Sequence, residues 1–499
     1  MKSKFSGALL TILGDAAEPS PTLAVHLQDL IRRLIVDGVV VENERLPSTR
    51  ALAKDLGVSR DTVEAAYQQL DAEGYIIRRT GSGTFVARLE RTSIVGQSEQ
   101  HRAIDKAADI PPPGMLLGSR GTDISLAGGV VDQTDVHPFV AAMPDVETFP
   151  IDTWRALTAR VIRKAGRRLL MYGDAQGYEP LRQEIWRYLA AHRGVQCEPE
   201  QIMILTSSQQ ALNLMGTVLV DPGDIIAVEN PGYHGAKLAF LAAGVFLKPV
   251  AVDVDGIIVS DIEDSRGPVH AVYVTPSHQY PTGVTLNLAR RLALLDWAQR
   301  TGGWIIEDDY DSEYRYDGRP LASIQGLDRA GHVLYLGTFN KMLFPSLRLA
   351  YLVLPKQLVR PFVAARTLLD GQSPLIAQAV LHEFIREGHF TAHIRRMRQL
   401  YHARRNSFIS AAEKHLSPYV EVAVPAGGLS IACYLRDGLD EGRTVEIAKS
   451  VGIELSTLRR LYLGGQGRQG WLLGFAALSP DAAARAMQKL SYALSNECK

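Results

Sequence analysis

The sequence predicts an α/β protein in two parts: a small N-terminal winged helix-turn-helix unit, and a large region on a mostly parallel sheet with a small C-terminal lobe. Three observations predict it. Two short capped helices are followed by a glycine-centred hairpin near the N-terminus, and six continuous apolar runs alternate with amphipathic segments beyond about residue 200. Between about Arg88 and Gly128 the composition turns polar, and Pro111-Pro112-Pro113-Gly114 breaks the periodicity. The expected boundaries are 20–88 for the small unit, 89–128 for a linker and 129–499 for the large region.

In the small unit, Leu23, Leu27, Leu30, Ile31, Leu34 and Ile35 recur at helical spacing and predict a helix ending near Asp37-Gly38. After Pro47, Ser48 caps a second helix that Gly57 stops, and Ser59 caps a third that runs through Val63, Tyr67 and Leu70 to Gly74. The tight turn at Gly57-Val58 makes the pair a helix-turn-helix. Tyr75–Arg79 and Thr84–Val86 then read as strands around Gly81-Ser82-Gly83, which makes the hairpin a wing. Arg50 and Arg60 open the two helices, and Arg78, Arg79, Arg88 and Arg91 cluster about the wing, where phosphate contacts are expected. Ser59, Arg60 and Thr62 stand where a recognition helix meets base edges. Arg50, Ser59, Arg60, Thr62, Arg78, Arg79, Gly81 and Gly83 are the candidate DNA-binding residues.

In the large region the apolar runs begin at Ile202, Ile225, Ala271, Trp304, Val333 and Tyr351, and their unbroken character indicates strands covered on both faces. Ligands in such sheets sit where strands end and loops begin. After Trp304-Ile305-Ile306, alternation sends Asp308 and Tyr310 to one side and Asp309 to the other. After Val333–Leu336 come Thr338 and Lys341, with Arg348 seven residues beyond the lysine. After Ile202–Leu205 comes Thr206-Ser207-Ser208-Gln209, a hydroxyl-rich helix start whose free N–H groups suit a phosphate.

The chain has 499 residues, 46% hydrophobic, with 54 Lys and Arg against 54 Asp and Glu. That balance excludes a disordered chain and a uniformly basic nucleic-acid coat, but not a small basic element cancelled elsewhere. Cys197, Cys433 and Cys498 have neither paired spacing nor partner histidines, so no disulfide framework and no metal site is expected. The run Leu9–Leu13 is too short for a signal peptide, and no stretch reaches membrane-span length, so the expected compartment is the cytoplasm.

A phosphate seat, an amine, a carboxylate and a phenol are the parts that hold pyridoxal 5′-phosphate: the lysine captures the aldehyde and the carboxylate keeps the ring nitrogen protonated. At this point the sequence resembles a known family. EDDYDSEYRY, GTFNKMLFPSLRLAY, TPSHQYPTG and DPGDIIAVENPGYHG resemble the aminotransferase-like region of the MocR/GabR regulators, which have the fold-type I pyridoxal-phosphate architecture. RLPSTRALAKDLGVSRDTVEAAYQQLDAEGYIIRRTGSGTFV resembles the GntR-type winged helix-turn-helix that these regulators carry.

The resemblance implies that Lys341 is the Schiff-base lysine, that Asp308 meets the pyridine nitrogen and that Tyr310 meets the ring hydroxyl. It implies that Arg348, Thr338, Ser208 and Gln209 hold the phosphate and that Tyr233 stacks on the ring. Ser456–Gly464 resembles the segment that supplies an arginine to the effector carboxylate, with Arg460 the better match and Arg459 the alternative. Three positions depart from the pattern: Tyr280 precedes Pro281 where aminotransferases usually have asparagine, Asn340 stands where many relatives have serine, and Ser207 where many have glycine.

The expected protein is therefore a homodimeric, head-to-tail transcription regulator that binds a DNA operator. It would respond to a small amine, an amino acid or the cofactor itself. The rival is an aminotransferase with an appended DNA-binding module, and with Lys341, Asp308 and Tyr310 all present a half-reaction stays open.

Overall fold

The computed structural model describes residues 5, 9, 23–79, 81–88, 117–130, 135–265, 267–318 and 321–497. The chain divides into two compact units between Leu116 and Leu117.

The first unit contains helices α1 (Leu23–Val36), α2 (Thr49–Leu56) and α3 (Arg60–Ala72), with strands β1 (Arg45–Leu46), β2 (Ile76–Arg79) and β3 (Gly83–Val86). Ser48 Oγ accepts from the Ala51 N–H at the start of α2, and Gly57 ends it in the left-handed region at φ 71°. Ser59 Oγ accepts from the Thr62 N–H at the start of α3. Leu27, Leu30, Ile31 and Leu34 of α1 pack with Leu52, Val63, Tyr67, Leu70, Ile76 and Val86 in one apolar cluster. β2 and β3 form the wing hairpin, and β1 adds a third, antiparallel strand that the sequence did not announce because it has only two residues.

The stretch between the two units is described only beyond residue 116. Of the stretch read as a linker, residues 89–116 lie outside the described residues, as does Arg91, but Ser119–Ala127 form a helix, α4. Gly118 precedes it and Gly128 closes it at φ 71°. Its side chains are almost all exposed, so it has no apolar stripe for periodicity to detect.

The second unit continues with α5 (Ile151–Ala165), α6 (Glu179–Arg193), α7 (Ser208–Val218), α8 (His234–Ala242) and α9 (Leu288–Thr301). These alternate with β4 (Ile202–Leu205), β5 (Ile225–Asn230), β6 (Phe246–Asp253), β7 (Gly256–Ile257), β8 (Val269–Val274), β9 (Trp304–Asp309), β10 (Val333–Thr338) and β11 (Ala350–Val353). Their spatial order is β4-β11-β10-β9-β8-β5-β6-β7. The central pairs are parallel, whereas β11 runs against both β10 and β4, and β7 against β6.

Alternation along the strands assigns residues to the two faces: Met203, Leu205, Ile306 and Leu352 join one apolar cluster with α7 and α8 residues, and Ile202, Ile204 and Val353 join another. Three further helices, α10 (Val359–Leu369), α11 (Leu375–Arg386) and the 27-residue α12 (His389–His415), lead to the C-terminal lobe. There, antiparallel strands β12 (Val420–Ala423), β13 (Ser430–Leu435), β14 (Ser456–Thr457) and β15 (Gly470–Gly474) lie in the order β12-β13-β15-β14, with α13 (Glu441–Ser450) and α14 (Pro480–Glu497). Among the described residues no helix is long and apolar enough to cross a membrane.

Candidate functional site

Sheet register brings the strand exits together. Leu205 pairs with Ala350, Ala350 with Thr338, Gly337 with Asp309, and Glu307 with Val274, so β4, β10, β9 and β8 end along one edge. The Asp308, Tyr310, Thr338, Lys341, Arg348, Ser208 and Gln209 singled out above all lie at or just beyond that edge.

Asp308 is 4% exposed, and its Oδ2 accepts from the Tyr273 hydroxyl at 2.7 Å. Its Oδ1 is buried with no hydrogen-bond partner. Burial raises this carboxyl to about 7, the Tyr273 bond opposes the rise, and the charges of Asp309 and Asp311 add to it. A buried, half-satisfied acid of this kind is costly by itself and suits a cationic N–H supplied by a ligand.

Asp309, on the other side of the strand, is occupied by protein. Its Oδ2 accepts from Tyr335 and, at 2.9 Å, from Ser312, and pairs with the buried Arg193 guanidinium at 2.7 Å, whereas its Oδ1, like that of Asp308, is buried without a hydrogen-bond partner. The Tyr310 hydroxyl donates to the His278 carbonyl at 3.0 Å and lies 3.1 Å from His278 Nδ1, and its oxygen has two lone pairs with which to accept. His278 Nδ1 in turn lies 3.0 Å from Asp311 Oδ2.

On the phosphate side, the Ser207 side chain caps α7 through the Gln210 N–H, so Ser208 and Gln209 form the first turn with its outward-facing N–H groups. The Gln209 amide donates to the Gly235 carbonyl at 2.9 Å, tying this turn to the segment after Tyr233. Thr338 Oγ1 accepts from the Asn340 N–H, and Asn340 Oδ1 from the Leu349 N–H, both at 3.2 Å, so the departure at Asn340 closes the loop that carries Lys341 and Arg348. Lys341 is half-buried and Arg348 exposed in the left-handed region at φ 51°.

Tyr233 stands edge-on to Tyr280 at 5.8 Å between ring centroids, and Tyr280 edge-on to Tyr310 at 6.1 Å, which lines one wall with aromatic surface. Arg459 is tied to the Gly465 carbonyl at 2.8 Å. Arg460 is exposed, and its charge partly offsets the rise that burial imposes on the Tyr280 phenol. The two arginines thus differ: Arg459 is held by backbone, and the Arg460 charge acts on the Tyr280 phenol.

Sequence reasoning missed three buried groups that shape the edge. Glu229 accepts from Thr275 Oγ1 at 2.6 Å and from the Gln279 amide at 3.2 Å, and burial raises it to about 7 against those bonds. Lys237 is 3% exposed on α8, and Glu441 is 4% exposed at the start of α13. Each is an isolated charge in an amphipathic or strand-end context, and only its long-range partners distinguish it.

In the first unit Arg50, Ser59, Arg60, Arg78, Arg79 and Gly81 are exposed, and Thr62 and Gly83 half-buried. Ser59 and Thr62 share a hydroxyl bond of 2.8 Å. Arg78 pairs with Glu64 at 2.8 Å, and the Arg79 guanidinium lies 5.3 Å from the Phe85 ring centroid, so both wing arginines are oriented by neighbours. Gly81 and Gly83 adopt φ values of 75° and 115°. A Cβ at Gly83 would approach Arg45 Nε to 2.9 Å.

Comparison with known proteins gives a family for each of the two units. Residues 23–86 match the family described as bacterial regulatory proteins, gntR family, and residues 142–434 match aminotransferase class I and II. The chain is 37% identical over 455 residues to the probable rhizopine catabolism regulatory protein MocR of Rhizobium meliloti, covering 91% of this chain and 90% of that protein. It is 31% identical over 482 residues to the pyridoxine biosynthesis transcriptional regulator PdxR of Corynebacterium glutamicum, covering 96% and 97%. Pyrococcus horikoshii kynurenine aminotransferase, solved in complex with PMP, superposes with a TM-score of 0.68 at 29% identity, covering 77% of this chain and 96% of that one. The order of the two units, the edge at which the strands end, and relatives matched over nearly their whole length lead to one assignment: the chain belongs to the MocR/GabR subfamily of GntR-type regulators, as a pyridoxal-phosphate-dependent transcription regulator.

Proposed function

We propose that the large unit senses a small amine or amino acid at the pyridoxal-phosphate site and passes that occupancy to the DNA-binding unit, with turnover slow or absent. The observation that carries this reading is the buried Asp308 Oδ1 without a partner, at the same sheet edge as Lys341 and Arg348. The cofactor, when bound, supplies an aldehyde that can exchange one amine for another and a ring that withdraws electrons. Asp308 would face the ring nitrogen, Tyr310 would accept from the ring hydroxyl, and Lys341 would offer the amine. Arg348, Thr338, Ser208 and Gln209 would bind the phosphate. Tyr233 would cover the ring, and Arg460 would meet an effector carboxylate.

Sensing demands less of these residues than transamination does. A transaminase must also release a product and admit a second substrate, whereas a sensor needs only a bound state that favours one conformation. Tyr280 in place of asparagine before Pro281 favours the sensor.

The reading includes a homodimer in the cytoplasm, the head-to-tail arrangement being part of the proposal. Leu170, Met171 and Tyr172 are 78%, 68% and 100% exposed in a single chain, and the adjoining Gly173 N–H bonds to Gln372 beside exposed Leu368 and Leu369. Gln210 Nε2 reaches the neighbouring Asp370 at 2.7 Å, so this apolar surface borders the start of α7. A second copy would cover both the patch and the exposed rim of the site.

The test is a paired titration of cofactor absorption and operator occupancy with a panel of amines. An amine that changes the absorption should change occupancy over the same concentrations. Lys341→Ala should lose both borohydride-fixable cofactor attachment and the amine response, while most operator affinity remains. Sustained turnover near about 10 per second with an amino donor and a 2-oxo acid, with no amine affecting DNA binding, would replace this reading by the enzyme one.

A further inference from the structure

The turn that carries Arg460 belongs to the C-terminal lobe, yet it is fastened to the cofactor-binding sheet. From the lobe side, Glu441 Oε1 accepts from the N–H groups of Leu458, Arg459 and Gly470 at 3.1, 3.2 and 2.9 Å. From the sheet side, Lys237 Nζ donates to the Leu461 carbonyl at 2.5 Å, and the Gly232 N–H donates to the same oxygen at 3.1 Å. The Leu463 N–H donates to Asn230 Oδ1 at 2.8 Å. Arg460 thus sits between a carboxylate clamp from one side and an ammonium clamp from the other.

The ammonium clamp also reaches the aromatic wall. Leu461 packs in a cluster against which Tyr280 rests, and the Pro231 carbonyl accepts from the Gln279 amide at 2.9 Å. Lys237 is buried on α8, where a charged group costs free energy unless its head makes a strong bond. A buried lysine whose head group grips the backbone next to a ligand arginine has a reason to be there that a purely apolar side chain could not supply.

We propose that Lys237 is a positioning residue for the effector: by holding the Leu461 carbonyl it fixes the turn that presents Arg460, and so sets how strongly the site prefers amines bearing a carboxylate over amines without one. This rests on the reading of Arg460 as the carboxylate ligand. Lys237 itself touches neither the reacting carbon nor the carboxylate.

The experiment compares ω-amino acids of two to five methylenes with alkylamines of the same length, on the full-length cofactor-loaded protein. Each is titrated by the change in cofactor absorption, and the readout is the affinity ratio of acid to amine. The wild type should prefer the acid, and Arg460→Gln should abolish the preference. Lys237→Met, nearly isosteric, should lower the ratio at least about tenfold with little change in alkylamine affinity, and Lys237→Arg should restore most of it. Asn230→Ala, which removes only the Leu463 anchor, should lower the ratio by less. A wild type without preference, or an Arg460→Gln variant that keeps it, overturns the Arg460 reading and the inference with it. If Arg460→Gln loses the preference while loaded Lys237→Met keeps it, only the inference falls. Equal loss of acid and amine binding in Lys237→Met, or failure of both Lys237→Met and Asn230→Ala to load cofactor, makes these residues fold-holding groups and also overturns it.

Discussion

Replacing Asp308 by asparagine should stabilise the cofactor-free protein and weaken its hold on the cofactor, and both effects come from one buried oxygen. Burial raises the carboxyl from its ordinary 3.8 to about 7. At about 1.4 kcal/mol for each factor of ten, ionising it inside the fold costs about 4 kcal/mol, a ceiling because water and relaxation soften it. The sign follows from proton counting. Between about pH 4 and pH 7 the folded protein holds a proton that the unfolded chain has released, so this contribution to stability falls as pH rises through that window and levels off above it.

Asparagine carries no such proton. The stability gained by Asp308→Asn should therefore grow by about 2–3 kcal/mol from pH 5 to pH 8. Glu307 and Glu313, which burial also raises to about 7, titrate in both proteins and cancel in the difference, whereas Glu229, whose rise includes the Asp308 charge, titrates lower in the variant and adds to its gain. Urea unfolding of the cofactor-free proteins, followed by tryptophan fluorescence, measures it. The ring cation that would recover the ionisation cost then finds only an amide, so cofactor affinity should drop by up to about a thousandfold. A stability difference that stays constant across pH, or a variant that binds the cofactor as tightly as the wild type, would refute the reasoning.

Arg60→Ala and Arg50→Ala should each weaken operator binding by about 1–3 kcal/mol with the cofactor spectrum intact; unchanged affinity in a gel-shift titration would argue against this docking face. Arg193→Met should cost about 3–5 kcal/mol in urea unfolding, because it leaves Asp309 buried without its 2.7 Å partner, and adding Asp309→Asn should return part of the loss. Sedimentation at micromolar concentration should give a dimer, and the pair Leu170→Asp with Met171→Asp should shift it toward monomer; a cofactor-bound wild-type monomer would remove the two-copy reading.

What could be read from the sequence was whatever is encoded locally. Ser48, Gly57 and Ser59 mark their helix ends because capping is a matter of one turn, and the apolar runs mark the strands because two covered faces leave no polar alternation. Period-two alternation separates Asp308 from Asp309, and the partners, Tyr273 for one and Tyr335 for the other, lie on opposite faces of the sheet.

What was not legible depends on distant chain. β6 hides behind Lys248 and Pro249, because it is a partly exposed strand near the sheet's end, and β11 gives no hint that it runs backwards, since an apolar run carries no direction. The strands of the C-terminal lobe reveal themselves through pairing, Ser430–Leu435 against Gly470–Gly474. Lys237, Asn230 and Glu441 escape for the same reason: their partners lie from 17 to 233 residues away along the chain.

The reversed direction of β11 has a consequence for how this protein can lose its cofactor. Because β11 returns beside β10 with Ala350 opposite Thr338, residues 339–349 form a closed loop, and Lys341 and Arg348 share it. The amine proposed to bind one end of the cofactor and the cation proposed to bind the other are thus carried on a single short cassette, cross-braced by Asn340 to Leu349. An insertion, deletion or proteolytic nick there would remove both anchors at once. Descendants of this chain should therefore divide sharply into those that hold the cofactor and those that have abandoned it, with few intermediates that keep one grip and lack the other.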